Sequence, residues 1–324
     1  MPTPTIKTQS RLRTHAPTTR SAGLALCLSG LAAALLALPL AMSHDFIVSF
    51  FCKTALGQYL SHLGQRRGNE GPKVMLWSWQ HNDDLSHLDA TKVGVSILVG
   101  RLAVTGENIA FERNMCAVHL PPGIYREAAV RLEIKNPGLP KSQAAVEALA
   151  EKLSGKIVEA TLTGSRRISA VQIDFDARGS ERKFYALLLK KVRAKLPGSV
   201  NLSMTALASW CAGDNWISPA HLPVDEVVPM LFSMGYGREQ IYQNLKKPSA
   251  FSSKLMAGRL APGLSLQEPQ PFELLGRRLS KYGHLYLFSS KGWNRSNYDR
   301  AIALLQNGGV TFNSQSKPIQ ITTR

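Results

Sequence analysis

The sequence predicts an α/β chain, a (β/α)8 TIM-like barrel preceded by an N-terminal signal sequence, and three observations predict it. Short apolar runs alternate with helical stretches from Val74 onward. The alternating region covers about 230 to 240 residues, close to the ~250 of such a barrel. Acidic and aromatic residues gather at the C-terminal ends of the runs, the end where barrels carry their chemistry. A doubly wound open sheet is the alternative, but the first run ends in Trp77-Ser78-Trp79-Gln80 where that fold would need a glycine-rich phosphate loop.

In chain order, residues 1–43 read as a signal peptide or signal anchor. Lys7, Arg11, Arg13 and Arg20 precede the apolar run Ala22–Leu40, and Ala41-Met42-Ser43 offers small residues to a signal peptidase, so cleavage is expected before His44. The run also has the length of a membrane span, which keeps an uncleaved anchor open. Cys27 does not make a lipoprotein signal, because Leu26 stands where a small residue is needed. The expected location is exported, either periplasmic or anchored to the inner membrane. Residues 44–72 combine an apolar helix, with Phe46, Phe50, Phe51, Leu60 and Leu63 as its greasy positions, and the polar linker Gln65–Pro72. The helix could lie on a membrane or pack on the domain.

Residues 73–324 form the expected barrel. Its strands are Val74–Trp79, Val93–Val99, Ala129–Ile134, Ala170–Asp176, Leu202–Ser209, Val227–Phe232, a weak seventh at Lys254–Ala257, and Leu285–Phe288. Helices are expected at Lys141–Leu153, Glu181–Leu196, Arg238–Lys246, Pro271–Lys281 and Ser296–Gln306.

Composition narrows the function. With 44% apolar residues over 324 the chain can bury a full core. The net charge of +17, less the four leader cations, leaves +13 on the remainder. That field favours anionic surfaces, and a salt-sensitive association with anionic membranes is one reading of it. No zinc finger, helix-turn-helix or aromatic RNA-binding pattern accompanies the charge, so nucleic acid is not an expected partner. Without the leader, Cys52, Cys116 and Cys211 remain, an odd number with no metal-like spacing, compatible with one bridge or with three buried thiols. His81 and His87 lie among Asp83, Asp84 and Asp89 but lack HExxH spacing, so no metal is expected. No motif implies an organic cofactor.

The chemistry is expected around Ile168–Arg182. In a strand, side chains two apart share a face, so Gln172, Asp174 and Asp176 point one way and Val171, Ile173 and Phe175 the other. Trp77 with Trp79, and Arg131 with Glu133, share faces near the ends of the first and third strands, and Trp210, Asp214 and Trp216 follow the fifth. Aromatic platforms beside carboxylates suit a sugar cleft, since pyranose rings offer apolar faces and hydroxyls. Equally, each tryptophan could plug the barrel or pack beneath a loop. The carboxylates have their own structural reading, one capping the following helix and the other paired with a basic residue. Asp225-Glu226 precedes the sixth strand, which places the pair at the opposite end, where structural roles prevail.

The runs VMLWSWQHNDDL, VGVSILVG, VQIDFDARGSERKFYALLLKKVRAKLP, LSMTALASWCAGDNW and LPVDEVVPMLFSMG resemble, in this order over Val74–Trp293, the bacterial family called domain of unknown function 3142. The resemblance implies export and a barrel akin to glycosidases, and brings no reaction with it. A more distant likeness is to family 18 chitinases, whose fourth strand ends Asp-x-Asp-x-Glu with Glu as proton donor. Here Asp174-Phe175-Asp176-Ala177-Arg178 keeps both aspartates and puts Arg178 in place of the acid, and a guanidinium does not donate a proton at neutral pH. The sixth strand also lacks the Tyr-Asp ending of those enzymes.

If the chain is a glycosidase, two carboxylates must flank the bond, roughly 5 to 5.5 Å apart for retention or 6.5 to 9.5 Å for inversion. Asp176 is then the candidate general acid, Glu133 or Asp214 the base or nucleophile, and Asp174 an orienting group. Trp77, Trp79 and Trp210 would contact substrate, and Arg131 and Arg178 would hold an acidic sugar or lower a neighbouring pKa. The alternative is a non-catalytic carbohydrate-binding or envelope-associated barrel.

Overall fold

The computed structural model of the chain describes residues 71–163, 167–212, 216–217, 222–247 and 259–311. The leader, the segment 44–70, Asp214, Cys52 and the expected strand Lys254–Ala257 lie outside them.

Eight parallel strands close into a ring. Val74–Ser78 (β1) pairs with Val93–Thr105 (β3) on one side and Leu285–Phe288 (β11) on the other. Between these run Tyr125–Lys135 (β6), Ala170–Asp174 (β7), Asn201–Leu207 (β8), Glu226–Met230 (β9) and Gly263–Ser265 (β10), each paired in parallel with the next. Two further short strands, Asp83–Asp84 (β2) and Val118–His119 (β5), pair with each other outside the ring. Asn108–Arg113 (β4) folds back antiparallel on the end of β3 through a turn at Gly106.

Helices cover the outer face. Gln143–Leu162 (α1) starts at Ser142, whose side chain accepts from Ala145 N, and runs past the expected end at Leu153 through Gly155. Buried Ile157 and Thr161 extend the inward stripe of Leu149 and Leu153, and that burial outweighs the ~1 kcal/mol that a mid-helix glycine costs. Arg182–Lys195 (α2) packs on the outer wall through Phe184, Tyr185, Leu188, Leu189 and Val192. Ala208–Ala212 (α3), Arg238–Lys246 (α4), Gln270–Leu275 (α5) and Arg295–Asn307 (α6) complete the described helices.

The strands have two cores because each has two faces. Outward residues such as Val130, Leu132, Val171, Ile173, Leu202 and Met204 pack against the helices. Inward, Met75, Trp77, Val228, Ala261 and Tyr286 form a smaller cluster. The Trp77 ring lies across the barrel against Gly263, where an added Cβ would come within 2.7 Å of the indole. β10 thus begins with a glycine because the Trp77 ring, reaching over from β1, leaves no room for a side chain.

Two irregularities shape the mouth. β3 and β6 stay paired out to Thr105 and Lys135, whereas β7 stops opposite Arg131, so a ribbon rises above the rim on one side. The register of this pair shifts between Leu98 and Gly100, leaving Val99 unpaired. Such a bulge changes which alternate side chains face inward. Beyond it Leu102 and Val104 pack in the outer core and Arg101 turns to the mouth.

Candidate functional site

A cavity of about 800 Å³ opens at the C-terminal end of the strands. One wall is polar, with Arg101, Arg131, Glu133 and Asp176. The other is apolar, with Trp79, Leu98, Met230, Phe232 and Phe288 above Trp77. The rings of Phe232 and Phe288 stack at 5.2 Å, and Trp79 meets Phe288 edge-on at 6.3 Å.

Arg131 organises the polar wall. It stands in register with Asp174 on β7 and shares a face with Glu133 two residues on. Its Nη1 lies 2.6 Å from Asp174 Oδ2, its Nη2 3.2 Å from Asp176 Oδ2 and its Nε 3.3 Å from Glu133 Oε1. Arg101 Nε is 3.3 Å from the same Glu133 oxygen, and Arg101 Nη1 is 3.8 Å from Glu112. Burial pulls the Arg131 guanidinium down, but the charges of Asp174 and Asp176 prevail and hold it above its ordinary value.

The two aspartates differ by depth. Asp174 is fully buried and takes a second hydrogen bond, at 2.8 Å, from Thr205 Oγ1. Burial raises its carboxyl to about 6, the Asp176 charge acting in the same direction and Arg131 and Thr205 against it. The Asp176 side chain is 43% exposed and lines the cavity, while that of Glu133 is 29% exposed. The structure thus brings Asp176, Glu133 and Arg131 together on open cavity wall and seals Asp174 beneath them.

Other sequence-predicted residues sit elsewhere. Trp77 is 2% exposed, its Nε1 donating to Gln172 Oε1 at 2.7 Å, so it is the floor of the cavity rather than a free platform. Trp79 remains on the cavity wall. Trp210 is buried in the outer core, edge-on to Trp216 at 4.8 Å, with the Arg182 guanidinium 5.7 Å above its ring, and does not line the cavity. Arg178 is exposed, its backbone N–H bonded to Glu181 Oε2 at 2.7 Å, and is likewise absent from the lining. Asp83 is a structural acid: Ser78 Oγ and Trp293 N donate to its two oxygens at 2.6 and 2.7 Å. Cys116 and Cys211 are free thiols, and burial pushes Cys211 up to about 12.

No family model matches the chain, and no curated protein matches it. Among solved structures it is similar to the Bacillus cereus spore cortex-lytic enzyme SleL, at 11% identity over 75% of this chain and 76% of that one, with a TM-score of 0.44. It is also similar to the ICChI chitinase from Ipomoea carnea (12% identity, 71% and 99% of the two chains, TM-score 0.42) and to the tamarind chitinase-like lectin (13%, 74% and 100%, TM-score 0.41). At these identities and scores the likenesses assign no chemistry, and the barrel rests on its own strand register.

Sequence reasoning missed Arg101, Thr205 and a second acidic cluster lower in the barrel. The expected strand stops at Val99, where the strand in fact bulges and continues, and the partnership of Thr205 with Asp174 depends on the β7 to β8 register. In the lower cluster Glu127 is buried, its Oε2 accepting from Ser203 Oγ at 2.8 Å and lying 3.0 Å from the Tyr286 hydroxyl. That hydroxyl is 2.8 Å from Glu226 Oε2, and Glu226 Oε1 is 2.8 Å from His284 Nδ1. One hydroxyl proton cannot serve two carboxylates, so when it goes to Glu226 the Glu127 contact needs a proton of its own. Burial raises Glu127 to about 7, the Glu226 charge adds to this, and the Ser96, Ser203 and Tyr286 hydroxyls oppose it. Ser96 Oγ and Glu127 Oε1 make no well-formed hydrogen bond, so Ser96 acts there by proximity.

Proposed function

We propose that the mouth is a carbohydrate site and that the chain is an exported barrel protein that binds glycans. The observation that carries this is the cavity itself: a ring-lined wall faces a wall of hydrogen-bonding carboxylates and guanidiniums, the pairing that a pyranose with one apolar face and several hydroxyls needs. Its volume lies within the ~300 to 1,000 Å³ usual for ligand pockets. Export rests on the leader and the resemblance to the domain of unknown function 3142 family, and fits a ligand from the cell envelope. Sequencing the N-terminus of the protein recovered from soluble and membrane fractions tests it, with a chain starting at His44 expected and a recovered Met1 against cleavage.

Binding without hydrolysis is the reading that the geometry supports best. Arg131 pairs with Asp176 on the cavity wall at 3.2 Å, and Arg178 stands where the resembled chitinases carry their proton donor. Hydrolysis is the second reading, favoured by Asp176 and Glu133 lining one cavity. Titration calorimetry against a panel of oligosaccharides, with product analysis on the same mixtures, separates them. Binding with no product supports the first. Turnover that an Asp176→Asn variant abolishes supports the second, and no binding to any glycan sinks both.

A further inference from the structure

The sugar class can be narrowed by asking which hydrogen-bonding groups of the mouth are still free. We propose, resting on the carbohydrate reading above, that the cavity selects a sugar bearing a free amino group over its N-acetylated or acidic counterpart. Around the polar wall stand four carboxylates, Glu112, Glu133, Asp174 and Asp176, and two guanidiniums, Arg101 and Arg131. On the cavity wall itself the charges balance, Glu133 and Asp176 against Arg101 and Arg131, in a chain whose formal charge is +17. The mouth is therefore less repulsive to a cation than the rest of the molecule.

Geometry sharpens the point. Arg131 directs Nε, Nη1 and Nη2 at three different carboxylates, which turns its fork inward and leaves little to offer an anion. Among the described residues no donor reaches Asp176 Oδ1 or Glu133 Oε2, so the polar wall keeps acceptor capacity, while on the opposite wall the buried Trp79 Nε1 is a donor without a partner. A carboxylate accepts from hydroxyls and ammonium groups alike, but only the ammonium adds a charge-assisted bond. Trp79, Phe232 and Phe288 opposite present ring faces and edges that stack on a pyranose and tolerate a cation. An N-acetyl group removes the charge, and a uronate brings the wrong sign, with Arg101, itself paired with Glu133 and Glu112, the remaining guanidinium among the described lining residues.

The test uses the purified full-length chain and three probes of matched length, the β-1,4-linked tetramers of glucosamine and N-acetylglucosamine and the α-1,4-linked tetramer of galacturonate, titrated calorimetrically at mildly acidic pH. The glucosamine tetramer is expected to bind at least about fivefold tighter than the N-acetylated one, the upper range for one exposed ion pair. The preference should shrink toward unity in Glu133→Gln, in Asp176→Asn and at high salt, and persist in Glu151→Gln, which removes a remote surface carboxylate. Unchanged thermal midpoints would show that the variants still fold. Equal or better binding of the N-acetylated or acidic tetramer overturns the amino-sugar inference and leaves the carbohydrate reading standing. Failure of all three to bind overturns the inference, whereas the wider panel above decides the carbohydrate reading separately.

Discussion

The barrel holds two acidic clusters, one above the Trp77 ring and one below it. Above, Arg131 gathers Asp174, Asp176 and Glu133, and two of those acids reach open cavity. Below, Glu127 and Glu226 are joined through Tyr286, with Ser203 and His284 at the two ends. The upper cluster is built on a fixed cation, which pairs with all three of its acids. Among the described residues the lower cluster has no arginine as a hydrogen-bonded partner and is met by hydroxyls, His284 and a proton on Glu127, whose carboxyl burial raises to about 7. Acidic clusters thus answer to different constraints in one barrel: a guanidinium anchors acids at the open mouth, while hydroxyls and a proton suffice below it. Gln172 links the levels, accepting from Trp77 and donating to Ser203.

The most damaging way to break this separation is to remove the partition. Trp77→Ala would vacate a fully packed indole, strand the Gln172 carbonyl and open the lower acids to the cavity. A loss of about 3 to 5 kcal/mol is expected from the packing alone, read as a drop in the urea midpoint. A midpoint within error of the wild type would mean that the ring does not divide the barrel.

Next in size is loss of the upper cation. Arg131→Met leaves Asp174 buried with Thr205 as its one partner, and breaking a buried pair in this way costs roughly 3 kcal/mol near neutral pH. The cost should be smaller at pH 4, where Asp174, already raised to about 6, is protonated in either protein. A penalty independent of pH would show that Arg131 supports the mouth by packing rather than by charge.

The lower cluster makes the opposite kind of prediction. Glu127, raised to about 7, and Asp174, raised to about 6, both hold protons in the folded chain at pH values where the unfolded chain has released them. His284 is also raised, the Glu226 carboxylate outweighing burial. Each contribution is complete below the unfolded pKa and is lost as pH rises through the folded one, so stability should fall between about pH 4 and pH 7. Asp89 and Glu151, held down to about 2 by hydrogen bonds from Thr91 and from Lys191 and Lys195, act in the other direction and lose their contribution as pH falls below about 4. The urea midpoint should therefore peak near pH 4 to 5. Glu127→Gln should flatten the decline above that peak by roughly 2 to 3 kcal/mol. An unchanged slope would place the buried proton elsewhere.

The difference between the clusters also explains what the sequence made legible. Asp174 and Asp176 announce themselves because the period-2 alternation of Val171, Ile173 and Phe175 sets their face, and Asp225-Glu226 reads as the opposite end because it precedes the expected strand at Val227, which in the structure begins one residue earlier, at Glu226. Glu127 does not, because it lies two residues before Ala129, the apparent start of a strand that in fact begins at Tyr125. The sequence pattern puts the seventh strand at Lys254–Ala257, outside the described residues, whereas β10 is a three-residue run shaped by the Trp77 ring and too short to show a period. Which acid meets which arginine depends on strand register, and a single bulge at Val99 turns Arg101 to the mouth. Neither is written in local pattern.

The smallest structural effect is expected where the functional one should be largest. Asp176 is exposed and its single ion pair is with an arginine that keeps two other carboxylates, so Asp176→Asn should change stability by no more than about 0.5 kcal/mol. Removing this charge also relieves repulsion on Asp174 below, which should move the Asp174 titration down toward its ordinary value. The same substitution strips the cavity of one of its two accessible carboxylates. Near-wild-type unfolding with weakened glycan binding would separate the roles of the mouth and the lower core within one variant. A fall in stability comparable to that of Arg131→Met would instead make Asp176 a structural strut, and the acids above Trp77 would then serve the barrel in the same way as those below it.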